Sequence, residues 1–93
     1  MTEPGTIARE VVVHGRVQGV FFRASCQAEA LEKGIAGWAR NEPDGTVRAL
    51  FEGPPDAVEA MVEWSHLGPR HASVERVDVI ERLPSGADGF DVG

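Results

Sequence analysis

Halfway along the 93-residue chain, Pro43-Asp44-Gly45 separates two stretches that suit extended backbone. Asp-Gly is a strong hairpin signal, because a tight two-residue turn needs positive φ and these residues tolerate it. The turn predicts antiparallel strands over Ile35 to Arg40 and Thr46 to Glu52, with Val47, Ala49 and Phe51 sharing one face of the second. Gly53, Pro54 and Pro55 then break the pattern. A hairpin pinned at the centre makes these two strands neighbours and limits where the remaining elements can add.

Ile7 to His14 reads as a strand, with Val11 and Val13 on one face and Val12 on the other. Apolar residues on both faces suit a central strand. Arg23 to Lys33 reads as a helix with an apolar stripe of Ala24, Ala28, Leu31 and Ile35, leaving Gln27, Glu29, Glu32 and Lys33 off its centre. Gly34 is placed to end it in a left-handed conformation. A second helix runs from Pro55 to Leu67, with Pro55, Asp56 and Glu59 suited to its start. Its stripe is Val58, Met61, Val62 and Ser65, flanked by Ala57 and Trp64, and Gly68-Pro69 stops it. Ser73 to Leu83 reads as a long strand, residues 84–89 as a loop, and Phe90 to Val92 as a short closing strand. Residues 1–6 read as a loose tail.

The resulting order is βαββαβ. Two helices of similar length cover one face of a four-stranded sheet, and right-handed crossovers favour the split-βαβ arrangement. The expectation is therefore an α+β, ferredoxin-like sandwich: a four-stranded antiparallel sheet with two helices on one face, as a single domain spanning residues 1–93.

Between the first strand and the first helix lies Gly15 to Arg23, GRVQGVFFR. Backbone N–H groups of such a loop can converge on an anion, because glycine reaches positive φ without steric penalty. The helix start adds its partial positive charge. Arg23 sets a planar five-donor fork at the rim, a good match for phosphate oxygens. The competing reading is a tight turn with a surface arginine.

Composition narrows the ligand. The net charge is −6, with −1 in residues 1–53 and −5 in residues 54–93. Val11 to Gln27 nonetheless carries Arg16 and Arg23 and no acid. A local positive spot on an acidic chain suits a small anion better than a nucleic acid. No run approaches the roughly 20 apolar residues of a membrane span. The N-terminal segment lacks a signal-peptide pattern, and one cysteine, Cys26, cannot form an internal disulfide; both point to the cytoplasm.

Other residues offer weaker chemistry. Asn41, at the end of the second strand, could cap local backbone, or hold a water through its carbonyl and an oxyanion through its amide. His14, beside the loop, suits a structural role. His66 and His71 are a weak metal signal without nearby cysteines. Cys26 follows Arg23, with no acid nearby, and reads as buried packing. Gln18 would touch phosphate or shape the loop. Trp38, Trp64, Phe21, Phe22, Phe51 and Phe90 read as core, although Phe21 or Phe22 could line an acyl pocket. Arg40 and Arg48 fall on the solvent side of the sheet.

Taken together, the chain resembles the acylphosphatases. GRVQGVFFR matches that family's signature loop. Gly37 to Gly53 matches its second signature, with Gly37, Trp38, Ala39, Arg40 and Asn41 followed by Gly45, Val47 and Gly53. Gly68 to Val79 is similar to the segment leading into the family's last long strand, so the likeness covers about residues 7 to 92. The chain ends three residues after Phe90, where members commonly run slightly longer with a basic or aromatic ending, which puts terminal stability in question.

The resemblance implies hydrolysis of the carboxyl–phosphate bond of acyl phosphates to a carboxylate and inorganic phosphate, which would act as product and inhibitor. It assigns catalytic roles to Arg23 and Asn41. The phosphate-binding loop would be Gly15, Arg16, Val17, Gln18, Gly19, Val20, Phe21 and Phe22. No metal or cofactor is expected, and no nucleic-acid or membrane partner; the expected state is a monomer. The main rival is a non-catalytic phosphate-binding regulatory module, which has no particular need for Asn41. An RNA-binding domain of this architecture would want exposed sheet aromatics and a basic face.

Overall fold

The computed structural model describes residues 5–93. The expected tail of residues 1–6 lies mostly outside them. Seven elements follow in order: β1 (Ile7–Arg16), α1 (Phe22–Glu32), β2 (Ala36–Asn41), β3 (Val47–Gly53), α2 (Pro55–Leu67), β4 (Ser73–Arg82) and β5 (Phe90–Val92).

The sheet has five strands in the order β4-β1-β3-β2-β5. Four pair antiparallel, as the central hairpin requires, with β1 inside and Val11, Val12 and Val13 all buried. The fifth corrects the expected four-stranded antiparallel sheet. β5 pairs parallel with β2, Gly37 opposite Phe90 and Ala39 opposite Val92, so the sheet is mixed. The cause is long-range. The segment after β4 crosses to the far edge, where the Phe90 ring is buried 6.2 Å from Phe51. Gly37 makes room: at φ 146 it takes a backbone conformation that side chains avoid, and a Cβ there would stand 1.8 Å from the Leu50 carbonyl oxygen.

Glu52, itself buried, steers that crossing. Its carboxylate accepts N–H bonds from Ser85, Gly86 and Ala87 and a hydroxyl bond from Ser85.

Both helices cover one face. α1 lies on β2 and β5, and α2 on β1 and β4. Alternation sends Val11, Val13, Ala39, Val47, Ala49 and Phe51 into the core beneath them. α2 buries Val58, Met61 and Ser65, matching its expected stripe. α1 does not match. It buries Phe22, Cys26 and Ala30, and leaves Ala24, Ala28 and Leu31 exposed on roughly the opposite side. The helix begins one residue earlier than the pattern suggested, at Phe22, and one phenylalanine outweighs several alanines in apolar area. The helix ends as expected. The N–H of Gly34 bonds Leu31 and that of Ile35 bonds Ala30, the paired bonds of a Schellman ending.

The open face of the sheet is covered by charge pairs. Glu10 bridges Arg48 at 2.5 Å and Arg82 at 2.8 Å, and Arg40 lies 4.5 Å from the Trp38 ring centre. Arg40 and Arg48 thus sit on the solvent side.

Candidate active site at the start of the first helix

β1 runs two residues further than its apolar pattern indicated. A register shift between His14 and Gly15 lets Gly15 and Arg16 continue pairing with Val74 and Ser73. Gly15 is needed because a Cβ there would approach the Ser73 carbonyl oxygen to 2.2 Å. The connecting loop is therefore residues 17–21, turned by Gly19 at φ 74 and Phe21 at φ 63.

That loop delivers α1 with a bare N-terminus. Phe21 provides no side-chain cap, and the first turn contains no acid. Ser25 N–H bonds the Phe21 carbonyl, so the N–H groups just before it precede the helix's first internal acceptors. By contrast, α2 begins with Pro55 and Asp56. An uncapped helix start with neighbouring arginine is an electropositive spot suited to an anion.

A cavity of about 250 Å³ lies there, lined by Val17, Gly19, Phe21, Phe22, Arg23, Ala24 and Asn41. Arg23 and Asn41, far apart in sequence, thus meet in one cavity. Asn41 sits at the end of β2, opposite Val47 and in line with Val13, which places it on the helix-covered side of the sheet. Gly15, Arg16, Gln18 and Val20 do not line the cavity. The first two belong to β1, and Val20 is buried.

Gln18 has a different task. Its amide donates to the carbonyls of Glu42 and Thr46, each at 2.9 Å. These flank the hairpin turn, which Asp44 also braces by accepting from the N–H and hydroxyl of Thr46. Gln18 therefore ties the loop that carries Arg23 to the hairpin that carries Asn41.

Arg23 is tied down as well. Its Nη1 donates to the Gly93 carbonyl, and Gln27 Nε2 donates to the Phe90 carbonyl at 2.7 Å. The segment at and just beyond the fifth strand thus contacts both Arg23 and the helix that carries it. No local sequence signal marks either bond.

The remaining candidates lie elsewhere. His14 Nε2 sits 2.9 Å from Asp78 and 3.2 Å from Arg76. Cys26 is fully buried, and burial pushes its thiol up to about 12, so it offers no thiolate near neutral pH. His66 and His71 are exposed. Among the described residues, no three His, Cys, Asp or Glu side chains are grouped to hold a metal ion, and no helix is long and apolar enough to cross a membrane.

The acylphosphatase family model matches residues 9–92. The chain belongs to the acylphosphatase family. It is 51% identical over 86 residues to an acylphosphatase of Natronomonas pharaonis, covering 92% of this chain and 94% of that one. Among solved structures, the acylphosphatase of Bacillus subtilis superposes with a TM-score of 0.90 at 38% identity, covering 94% of this chain and 98% of that one. An acylphosphatase from Coxiella burnetii gives 0.91 at 34% identity, covering 95% and 93%. The protein is accordingly an enzyme that hydrolyses acyl phosphates.

Proposed function

We propose that Arg23 and the backbone N–H groups of the loop that precedes it bind the phosphoryl group, while Asn41 orients the water that attacks it. The meeting of Arg23 and Asn41 in one cavity at an uncapped helix start carries this reading.

An acyl phosphate is a mixed anhydride, so its carboxylate leaves with little need of protonation. The loose transition state needs positioning and charge stabilisation more than a strong base. Water oxygen bonds to phosphorus as the bond from phosphorus to the acyl oxygen breaks. The water's proton passes to a phosphoryl oxygen, and the electron pair of the broken bond leaves with the carboxylate. The Asn41 carbonyl accepts from the water, and its amide donates to the phosphoryl group. The chemistry as written uses no metal and no phosphorylated side chain. Inorganic phosphate, seated on the same donors, competes with substrate.

We further propose that residues 1–93 act as a single domain and a monomer in the cytoplasm. The charge pairs over the open sheet face support the monomer, as do the charged side chains of edge strand β4, which blunt pairing with another chain.

The test is hydrolysis of benzoyl phosphate in chelator by the wild type, Arg23→Ala and Asn41→Ala. Arg23→Ala is expected to lose phosphate binding and nearly all turnover. Asn41→Ala should still bind phosphate but turn over about 100-fold more slowly, the scale of one positioned group. Unchanged turnover in Asn41→Ala would remove its assigned role, and a requirement for added Mg²⁺ would contradict the metal-free chemistry.

A further inference from the structure

The two adjacent phenylalanines where the loop meets α1 have opposite fates. Phe22 is 2% exposed, its ring 5.2 Å from that of Trp64. Phe21 is 78% exposed and lines the cavity. It also adopts φ 63, ψ 25, a left-handed conformation that is unfavourable for a residue with a Cβ and is usually given to glycine or asparagine. A large apolar ring held in water by a disfavoured backbone conformation is disadvantageous twice over for folding. Such outliers collect where a ligand gives them a use.

The cavity supplies that use. Its polar side chains are Arg23 and Asn41; the others in its wall are Val17, Phe21, Phe22 and Ala24. An acyl phosphate has the same two-ended character, with a charged phosphoryl group joined to an acyl group. We infer that Phe21 is a specificity-determining residue, whose exposed ring packs on the acyl group and selects acyl phosphates with a flat apolar, above all aromatic, acyl portion. This rests on the placement of the phosphoryl group at Arg23 proposed above. The ring supplies offset stacking or edge-to-face contact to an aromatic acyl group and little to an acetyl group.

The experiment measures kcat and KM of the wild type, Phe21→Asn and Phe21→Gly with benzoyl phosphate and with acetyl phosphate. Both replacements suit the left-handed backbone, so both variants are expected to fold, which thermal melting checks. The expected result is that the benzoyl-to-acetyl ratio of kcat/KM falls about tenfold in each variant, the scale on which one apolar contact discriminates. The loss should fall mainly in KM, because the ring touches the acyl group before and during reaction alike. Equal losses on both substrates, or a ratio held within about twofold, would overturn the inference and leave the ring a loop-shaping role. Arg23→Ala, run beside them, separates the two readings. If it keeps benzoyl phosphate turnover, the phosphoryl placement fails; if it is inactive while the Phe21 ratio stays constant, only the selectivity role fails.

Discussion

Gln18 offers two amide protons, and both are spent on carbonyls of the hairpin turn rather than on the cavity. Its effect on the reaction is therefore indirect: it holds the Arg23 loop against the Asn41 strand. Gln18→Glu keeps the shape but has no donor and faces two carbonyl oxygens with a negative charge. It is expected to lower kcat for benzoyl phosphate about tenfold, with a smaller change in KM, since small displacements of a positioning group act on the chemical step. A lower melting temperature with kcat intact would mean that Gln18 serves stability alone. Phe21 and Phe22 make a related point. One residue's step along the chain separates a ring buried in the core from a ring exposed to solvent, and the left-handed turn at Phe21 produces the separation.

α1 is weakly amphipathic by composition, and its orientation depends on its first residue. The Phe22 ring lies against Trp64 of α2 and beneath Gly68, where a Cβ would come within 2.8 Å of it. This contact joins the two helices and sets the rotation of α1 about its axis, and with it the direction of Arg23. Phe22→Ala is expected to destabilise the fold by about 3–5 kcal/mol, the range for emptying a buried aromatic site. Urea unfolding followed by tryptophan fluorescence would measure it. A loss under about 1 kcal/mol would show that the cavity collapses and that α1 is held by its other contacts. β5 is the second element that the site depends on. It is only three residues long, yet its backbone receives Gln27, and the Gly93 carbonyl just beyond it receives Arg23.

At the scale of the whole molecule, two buried carboxylates among the described residues, Glu10 and Glu52, connect the sheet to its surroundings. Burial by itself would raise the carboxyl of Glu10, but hydrogen bonds from Arg48 and Arg82 outweigh it and hold the group below its ordinary value of 4.5. Glu52 is likewise raised by burial and brought below 4.5 by its bonds from the Ser85 hydroxyl and the Ser85, Ala87 and Gly86 N–H groups. A carboxylate whose pKa is lower folded than unfolded contributes stability that is present above the unfolded value and lost as pH falls through the folded one. Unfolding free energy is therefore expected to hold from neutral pH down to about 5 and to decline below it. Glu52→Gln should flatten part of that decline in urea titrations across pH. An unaltered acid limb in Glu52→Gln would assign the acid sensitivity to Glu10 and other groups.

Most of the architecture was legible in the sequence because it depends on neighbours. The Asp44-Gly45 turn, the alternation in β1 and β3, the stripe of α2 and the glycine ending of α1 all involve contacts within a few residues. The two signatures likewise supplied Arg23 and Asn41. What the sequence by itself determined was thus the order of elements and the side chains available to a site. Only the tertiary structure decided how they meet: which face of α1 is buried, which phenylalanine ring stays exposed, and that a fifth strand pairs parallel with β2. The bonds that settle these matters run from Gln18 across 24 and 28 residues, from Gln27 across 63 and from Arg23 across 70. Contacts of that span leave no periodic trace in the chain. Their partners are chosen by competition for space and for hydrogen-bond acceptors, which exists only once the sheet and helices have packed.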